Sequence, residues 1–117
     1  MVTQIERLPG RDEVGSAVGM LKLLGDETRL RIICALLERE HSVNELAGLV
    51  GAQPAGVSQH LAKLRLARLV RTRREGNRIF YVVDDAHVRS LVEQALSHAG
   101  HVTGDRPSRR RGGRARG

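Results

Sequence analysis

Cysteine occurs once in the 117 residues, at Cys34, which excludes both an intrachain disulfide and an all-thiolate metal cage. Aromatic residues are nearly absent, with one Phe, one Tyr and no Trp. A core without rings must be filled by Leu, Val, Ile and Ala, and that points to packed helices. No apolar run approaches the roughly 20 residues that span a bilayer. The opening MVTQIERLPGRDEVG lacks the apolar stretch of a signal peptide, so a cytoplasmic protein with no membrane partner is expected. An H-E-x-x-H motif is missing too, as is a spare catalytic carboxylate, and neither an enzyme nor a small-molecule substrate is expected. At this length the chain is about one domain with a modest core, which invites a second copy to cover what one leaves exposed.

Acidic excess is also lacking. The net charge is +7 and unevenly placed: from Asp105 onward six arginines face one acid, giving +5, so residues 1–104 hold +2. Within that body, residues 63–78 (KLRLARLVRTRREGNR) carry seven cations against Glu75 alone. Basic charge gathered in one stretch is the footprint of a nucleic-acid binder. Residues 102–117, poor in apolar side chains and rich in Arg and Gly, are expected to be a disordered basic tail. Residues 1–11 show no sustained period and are expected to form a flexible arm, leaving 12–101 as the folded domain.

Periodicity then sets the elements. Val14, Ala17, Val18, Leu21 and Leu24 line one face of a helix that Gly25 ends. Asp26 can cap a second helix, to about Glu40, with Leu30, Ile33, Cys34 and Leu37 as its inward stripe. Ser42, with Glu45 three residues on, reads as a capping box for a short helix through Leu49. Gly51 supplies the turn and Pro54 suits the first position of the next helix, whose inward stripe is Val57, Leu61 and Leu64. Two short helices joined by such a turn are a helix-turn-helix. Around the second, Gln53, Ala55, Ser58, Gln59, His60 and Lys63 are the candidates to face DNA, where Gln can pair with adenine and Lys with guanine or phosphate. A solvated polar face would look the same.

After Leu69 the period changes. LVRTRREGNRIFYVV places β-branched and aromatic residues on either side of Glu75, Gly76 and Asn77, which is a hairpin signal. A hairpin behind a helix-turn-helix is the wing of a winged helix, and Arg71, Arg73, Arg74, Asn77 and Arg78 are placed to hold phosphates. A final helix is expected from Asp84 or Asp85 to about Ala99, with Val88, Leu91, Val92, Ala95 and Ala99 as its apolar face. The expected fold is thus mainly α with a small β-hairpin, a winged helix-turn-helix.

With LGDETRLRIICALL, SVNELA, VSQHLAKLRLARLV and REGNRIFYVV in that order, residues 14–101 resemble the ArsR/SmtB family of metal-sensing bacterial repressors. The resemblance implies a homodimer that binds double-stranded operator DNA and releases it when metal binds. One class of the family uses the pattern D-x-H, ten residues, H-x-x-H/E on its last helix, and Asp85, His87, His98 and His101 match it. The cysteine pair of another class is absent from HSVNELAG.

A helix rises about 1.5 Å per residue, so His87 and His98 stand roughly 16 Å apart, whereas two nitrogens on one zinc are about 3–4 Å apart. One chain cannot close this site. Two copies of the helix packed antiparallel would make two identical sites, each with Asp85 and His87 from one protomer and His98 and His101 from the other. Three imidazoles and a carboxylate suit zinc first, then cobalt or nickel. A winged-helix regulator that ignores metal, controlled through Cys34 or a partner, is the alternative. His41 reads as a local or DNA-facing group.

The tail raises one more competitor, a protein that coats DNA without sequence preference. Removing residues 105–117 is expected to flatten the dependence of DNA affinity on salt while leaving operator preference intact, as measured by anisotropy titrations at several salt concentrations. Loss of all preference on truncation would favour the coating reading.

Overall fold

The computed structural model describes residues 8–103. Its elements run α1 (Arg11–Leu24), α2 (Glu27–Glu38), α3 (Val43–Val50), α4 (Pro54–Leu66), β1 (Arg71–Glu75), β2 (Arg78–Val82) and α5 (Ala86–Thr103). The first seven residues of the expected arm and residues 104–117 of the expected tail lie outside the described residues. Inside them both boundaries move. Arg11 already belongs to α1, and α5 continues through Val102 and Thr103, because Val102 extends the apolar spacing and no helix breaker occurs before Gly104.

The caps form as their chemistry requires. Asp26 accepts from the Arg29 backbone N–H at 3.0 Å and starts α2. Ser42 Oγ accepts from the Glu45 N–H at 3.2 Å while Glu45 Oε1 accepts from the Ser42 N–H at 3.1 Å, a complete capping box. Gly51 ends α3 in the left-handed region, φ 69° and ψ 40°, where a side chain would be strained. α4 starts less well: Gln53 makes no side-chain cap bond, and only Pro54 at its first turn supports it. Its end is better built. The Arg68 and Leu69 N–H groups donate to the Arg65 and Leu64 carbonyls, each at 2.9 Å, a pattern that puts Arg68 at φ 64° in the position usually held by glycine.

The core joins α2, α3, α4, the base of the wing and α5. Ile32, Ile33 and Leu36 of α2 meet Leu46 of α3 and Val57, Leu61 and Leu64 of α4, with Leu69, Val70, Val83, Val88 and Val92 closing the far side. The inward face of α2 is therefore rotated from the expected stripe. Ile33 is buried as expected, but Leu30, Cys34 and Leu37 are half-buried, and Ile32 and Leu36 take the deepest places. Packing on several sides at once explains this, since neither three-residue nor four-residue spacing identifies which flank meets the denser neighbour.

β1 and β2 pair antiparallel from Arg71 with Val82 to Glu75 with Arg78, leaving a two-residue turn in which Gly76 alone takes a positive φ, 62°. His41, just before α3, bridges to the returning strand: its N–H donates to the Tyr81 carbonyl at 3.3 Å and its carbonyl accepts from the Tyr81 N–H at 2.8 Å. It is buried, so its role is local and not DNA-facing. Asp85 caps α5, its Oδ1 accepting from the N–H groups of His87 at 2.7 Å and Val88 at 3.2 Å. Arg89 then ties α5 to the Leu37 carbonyl at 2.6 Å.

Two outcomes follow from these local geometries. Arg68→Gly removes the left-handed penalty of a side-chain-bearing residue and is expected to raise stability by about 0.5–1 kcal/mol in urea unfolding, part of the relief being offset by a freer unfolded chain. The Glu45 carboxyl is held below its ordinary value of 4.5, first by the Ser42 N–H and then by His41 and Arg39. Because the folded-state value is the lower one, this contribution is present above 4.5 and is lost as pH falls through the depressed value. Glu45→Gln is therefore expected to flatten the acid limb of the urea midpoint plotted against pH.

Candidate nucleic-acid interface and metal half-sites

α4 buries Val57, Leu61 and Leu64, and this turns Ala55, Ser58, Gln59 and Lys63 to exposed positions, with Gln53 exposed at its cap. His60 departs from this group. It is half-buried on the flank toward α2, where its Nδ1 lies 3.1 Å from Arg29 Nη1. The reason is angular: at one residue before Leu61 and three after Val57, position 60 borders the inward stripe.

The wing cations divide into committed and uncommitted. Arg71 donates from Nε to Asp84 Oδ2 at 3.0 Å, and this fork holds the Asp84 carboxyl below its ordinary range. Arg73 forks onto Glu40, with Nε at 2.7 Å, and also pairs with Glu75 at 3.1 Å. Arg78 approaches Glu45 at 3.8 Å, and Arg73 and Arg78 both lie against the Phe80 ring, 4.9 and 4.8 Å from its centre. Arg74, also on the hairpin, has no carboxylate partner among the described residues and is exposed, as is Asn77 in the turn. Such solvent-exposed pairs are weak, so phosphates displace them at small cost. Beyond the expected set, Arg65 and Arg68 are exposed cations at the end of α4 that likewise lack a carboxylate partner among the described residues.

The four candidate metal ligands all lie on α5 or at its cap, and all are exposed. Asp85 uses Oδ1 for both capping bonds, which leaves Oδ2 open to a cation. Eleven residues are close to three turns, so His87 and His98 project from nearly one face of α5 while standing about 16 Å apart. Among the described residues no three His, Cys, Asp or Glu side chains come together as a metal site. Within one chain the structure thus brings Asp85 and His87 to one end of α5 and His98 and His101 to the other, and it does not bring the two pairs together.

Two further surfaces frame these ends. Val14, Val18 and Leu21 on α1 are 45%, 43% and 51% exposed, and Leu96 and Val102 on α5 are also bare. An open groove of about 810 Å³ runs between the end of α4, the base of the wing and the start of α5, lined in part by Leu66, Arg68, Arg71, Asp84 and Asp85. Cys34 is half-buried, and burial, followed by the nearby Glu38, pushes its thiol pKa up.

Residues 26–72 match the family described as bacterial regulatory protein, arsR family. Over 91 residues the chain is 52% identical to the HTH-type transcriptional regulator KmtR of Mycobacterium tuberculosis, covering 78% of this chain and 70% of that one. It is 37% identical over 84 residues to the cadmium resistance transcriptional regulatory protein CadC homolog of Staphylococcus aureus, covering 71% of this chain and 69% of the other. The fold superposes with a TM-score of 0.69, at 27% identity, on a solution structure from Mycobacterium bovis described as a homodimeric winged helix-turn-helix DNA-binding domain, over 81% of this chain and 94% of that one. The winged helix-turn-helix and the identity shared across most of both chains lead to one conclusion: the protein belongs to the arsR family of bacterial regulatory proteins and is a regulator, not an enzyme.

Proposed function

We propose that the protein is a metal-responsive transcriptional repressor, working in the cytoplasm, that binds a palindromic operator as a homodimer and releases it when a divalent metal ion binds between the last helices of the two copies. The observation that carries this reading is the pair of exposed half-sites at opposite ends of one face of α5, too far apart for one chain to close. The bare apolar residues of α1 and α5 favour a second copy against those helices, as does the homodimeric relative. The named role of the CadC homolog in cadmium resistance supports a metal as the signal.

In the dimer the two α4 helices would enter successive major grooves about 34 Å apart, with Gln53, Ala55, Ser58, Gln59 and Lys63 toward base edges and phosphates, and the wings on flanking phosphates. His60 would sit at the edge of that face, and Arg71, Arg73 and Arg78 would exchange carboxylates for phosphates while Arg74 and Asn77 reach the backbone directly. A metal ion, when bound, supplies a charge that holds four ligands from two chains together. Asp85 and His87 of one copy would meet His98 and His101 of the other, three nitrogens and one oxygen that suit tetrahedral zinc, with cobalt next and nickel after it. Drawing these helix ends together favours one dimer geometry, and release follows if that geometry spoils the spacing of the two α4 helices.

The alternative, a regulator controlled through its thiol or by a partner, is less well supported. A thiol whose pKa is raised by burial has little thiolate to oxidise.

Zinc titrated into the operator complex is expected to release the parent protein and to reach two ions per dimer by direct metal analysis. His98→Ala combined with His101→Ala is expected to bind operator normally and to resist release by at least about tenfold in zinc concentration. Equal release of parent and variant would show that this site is not the switch, and a Cys34→Ser variant that alone loses regulation would favour the thiol reading.

A further inference from the structure

Three helices meet at one arginine. From α2, Arg29 donates through Nε to the Leu23 carbonyl of α1 at 2.7 Å, gives its backbone N–H to the Asp26 carboxylate at 3.0 Å, and sets Nη1 against His60 Nδ1 of α4 at 3.1 Å. A guanidinium has donors and no acceptor, so His60 Nδ1 must be the acceptor in that contact. That role requires a neutral ring with its proton on Nε2. The charged groups set against it are Arg29 and, behind Arg29, Asp26, whose carboxyl is held low first by the Arg29 N–H; on α4 itself Lys63 follows one turn later. A protonated ring would put two cations 3.1 Å apart.

This bond supplies what hydrophobic burial does not. Val57, Leu61 and Leu64 fix how deep α4 sits and which side it turns outward, but apolar contact is non-directional and leaves small changes of roll and slide weakly specified. The start of α4 has little local support, with no side-chain cap bond from Gln53 and Gly56 in its first turn. A hydrogen bond to a ring on its flank is directional.

We propose that Arg29 is a positioning residue for the DNA-reading helix: it fixes His60 in the Nε2–H tautomer and pins the roll of α4 to the junction of α1 and α2. The proposal rests on the reading of α4 as the helix that faces DNA. Because α1 also carries the apolar face suited to a second copy, a shift of α1 moves the Leu23 carbonyl and, through Arg29, the ring on α4.

Long-range proton–nitrogen NMR of the His60 ring in the full-length protein, free and bound to a duplex selected from random sequence, is expected to show Nε2–H and a bare Nδ1. An Nδ1–H ring or an imidazolium would overturn the proposal. On the same duplex, His60→Gln keeps a neutral acceptor for Arg29 and an outward N–H, and is expected to bind within about threefold of the parent, whereas His60→Leu and Arg29→Lys are expected to lose about tenfold or more. The two losses are expected to be non-additive in the double variant, and binding to random-sequence DNA and the thermal midpoint are expected to change little. Additive losses, or a His60→Gln defect as large as that of His60→Leu, would overturn the proposal. A parent that does not distinguish the selected duplex from random DNA would overturn the reading of α4 and its positioning together, while the NMR result would still decide the Arg29–His60 pairing.

Discussion

Contact of Val57, Leu61 and Leu64 with Ile32, Ile33, Leu36 and Leu46 decides which way α4 faces, and almost everything else in the molecule follows from that choice. These seven side chains are 0–2% exposed, in a chain with one Phe and one Tyr to fill space. Once they interlock, the polar side of α4 is outward, its end delivers Leu69 and Val70 to the base of the wing, and Val83 and Val88 carry the chain into α5. A core of branched aliphatics has few alternative packings at native density, so which side of α4 turns outward is set by volume as much as by polarity, while its fine roll is left to directional contacts on its flank.

Around that core the charges fall into two groups. Asp84, Glu40 and Glu45 engage Arg71, Arg73 and Arg78, which steadies a two-stranded hairpin that would be marginal alone. Arg65, Arg68 and Arg74 stay uncommitted among the described residues. The basic stretch is thus less a uniform positive surface than a braced wing with a few cations held in reserve. Bracing and DNA contact are compatible because solvent-exposed pairs are weak enough to exchange.

Much of the fold could be read from residue order. Ser42 with Glu45, Gly51, Pro54 and Gly76 act within a few residues of themselves, and each did in the structure what its local chemistry demands. Residue order is silent where an outcome depends on a distant neighbour. His60 looked like its exposed companions Gln59 and Lys63, yet Arg29, thirty-one residues away, draws it to the flank. Leu30, Cys34 and Leu37 were equal to Ile32 and Leu36 in hydrophobicity and period, and only the arrival of α3 and α4 separated the two sets. Arg29 itself carried no signal as a member of TRLRI beyond a helical charge.

The candidate metal ligands show the same division. By itself, the sequence determined their types, their spacing and, through helical rise, that Asp85 and His87 cannot share an ion with His98 and His101 of the same chain. It also determined the caps, the turn and the hairpin, because these are short-range matters of φ, ψ and hydrogen-bond donors. Tertiary structure alone decided the roll of α2, the place of His60 against Arg29, the commitment of wing arginines to Asp84, Glu40 and Glu45, and the apolar faces that α1 and α5 leave open. The physical reason is that these outcomes depend on which surfaces meet in space, and contact between residues far apart in the chain leaves no periodic mark on either partner.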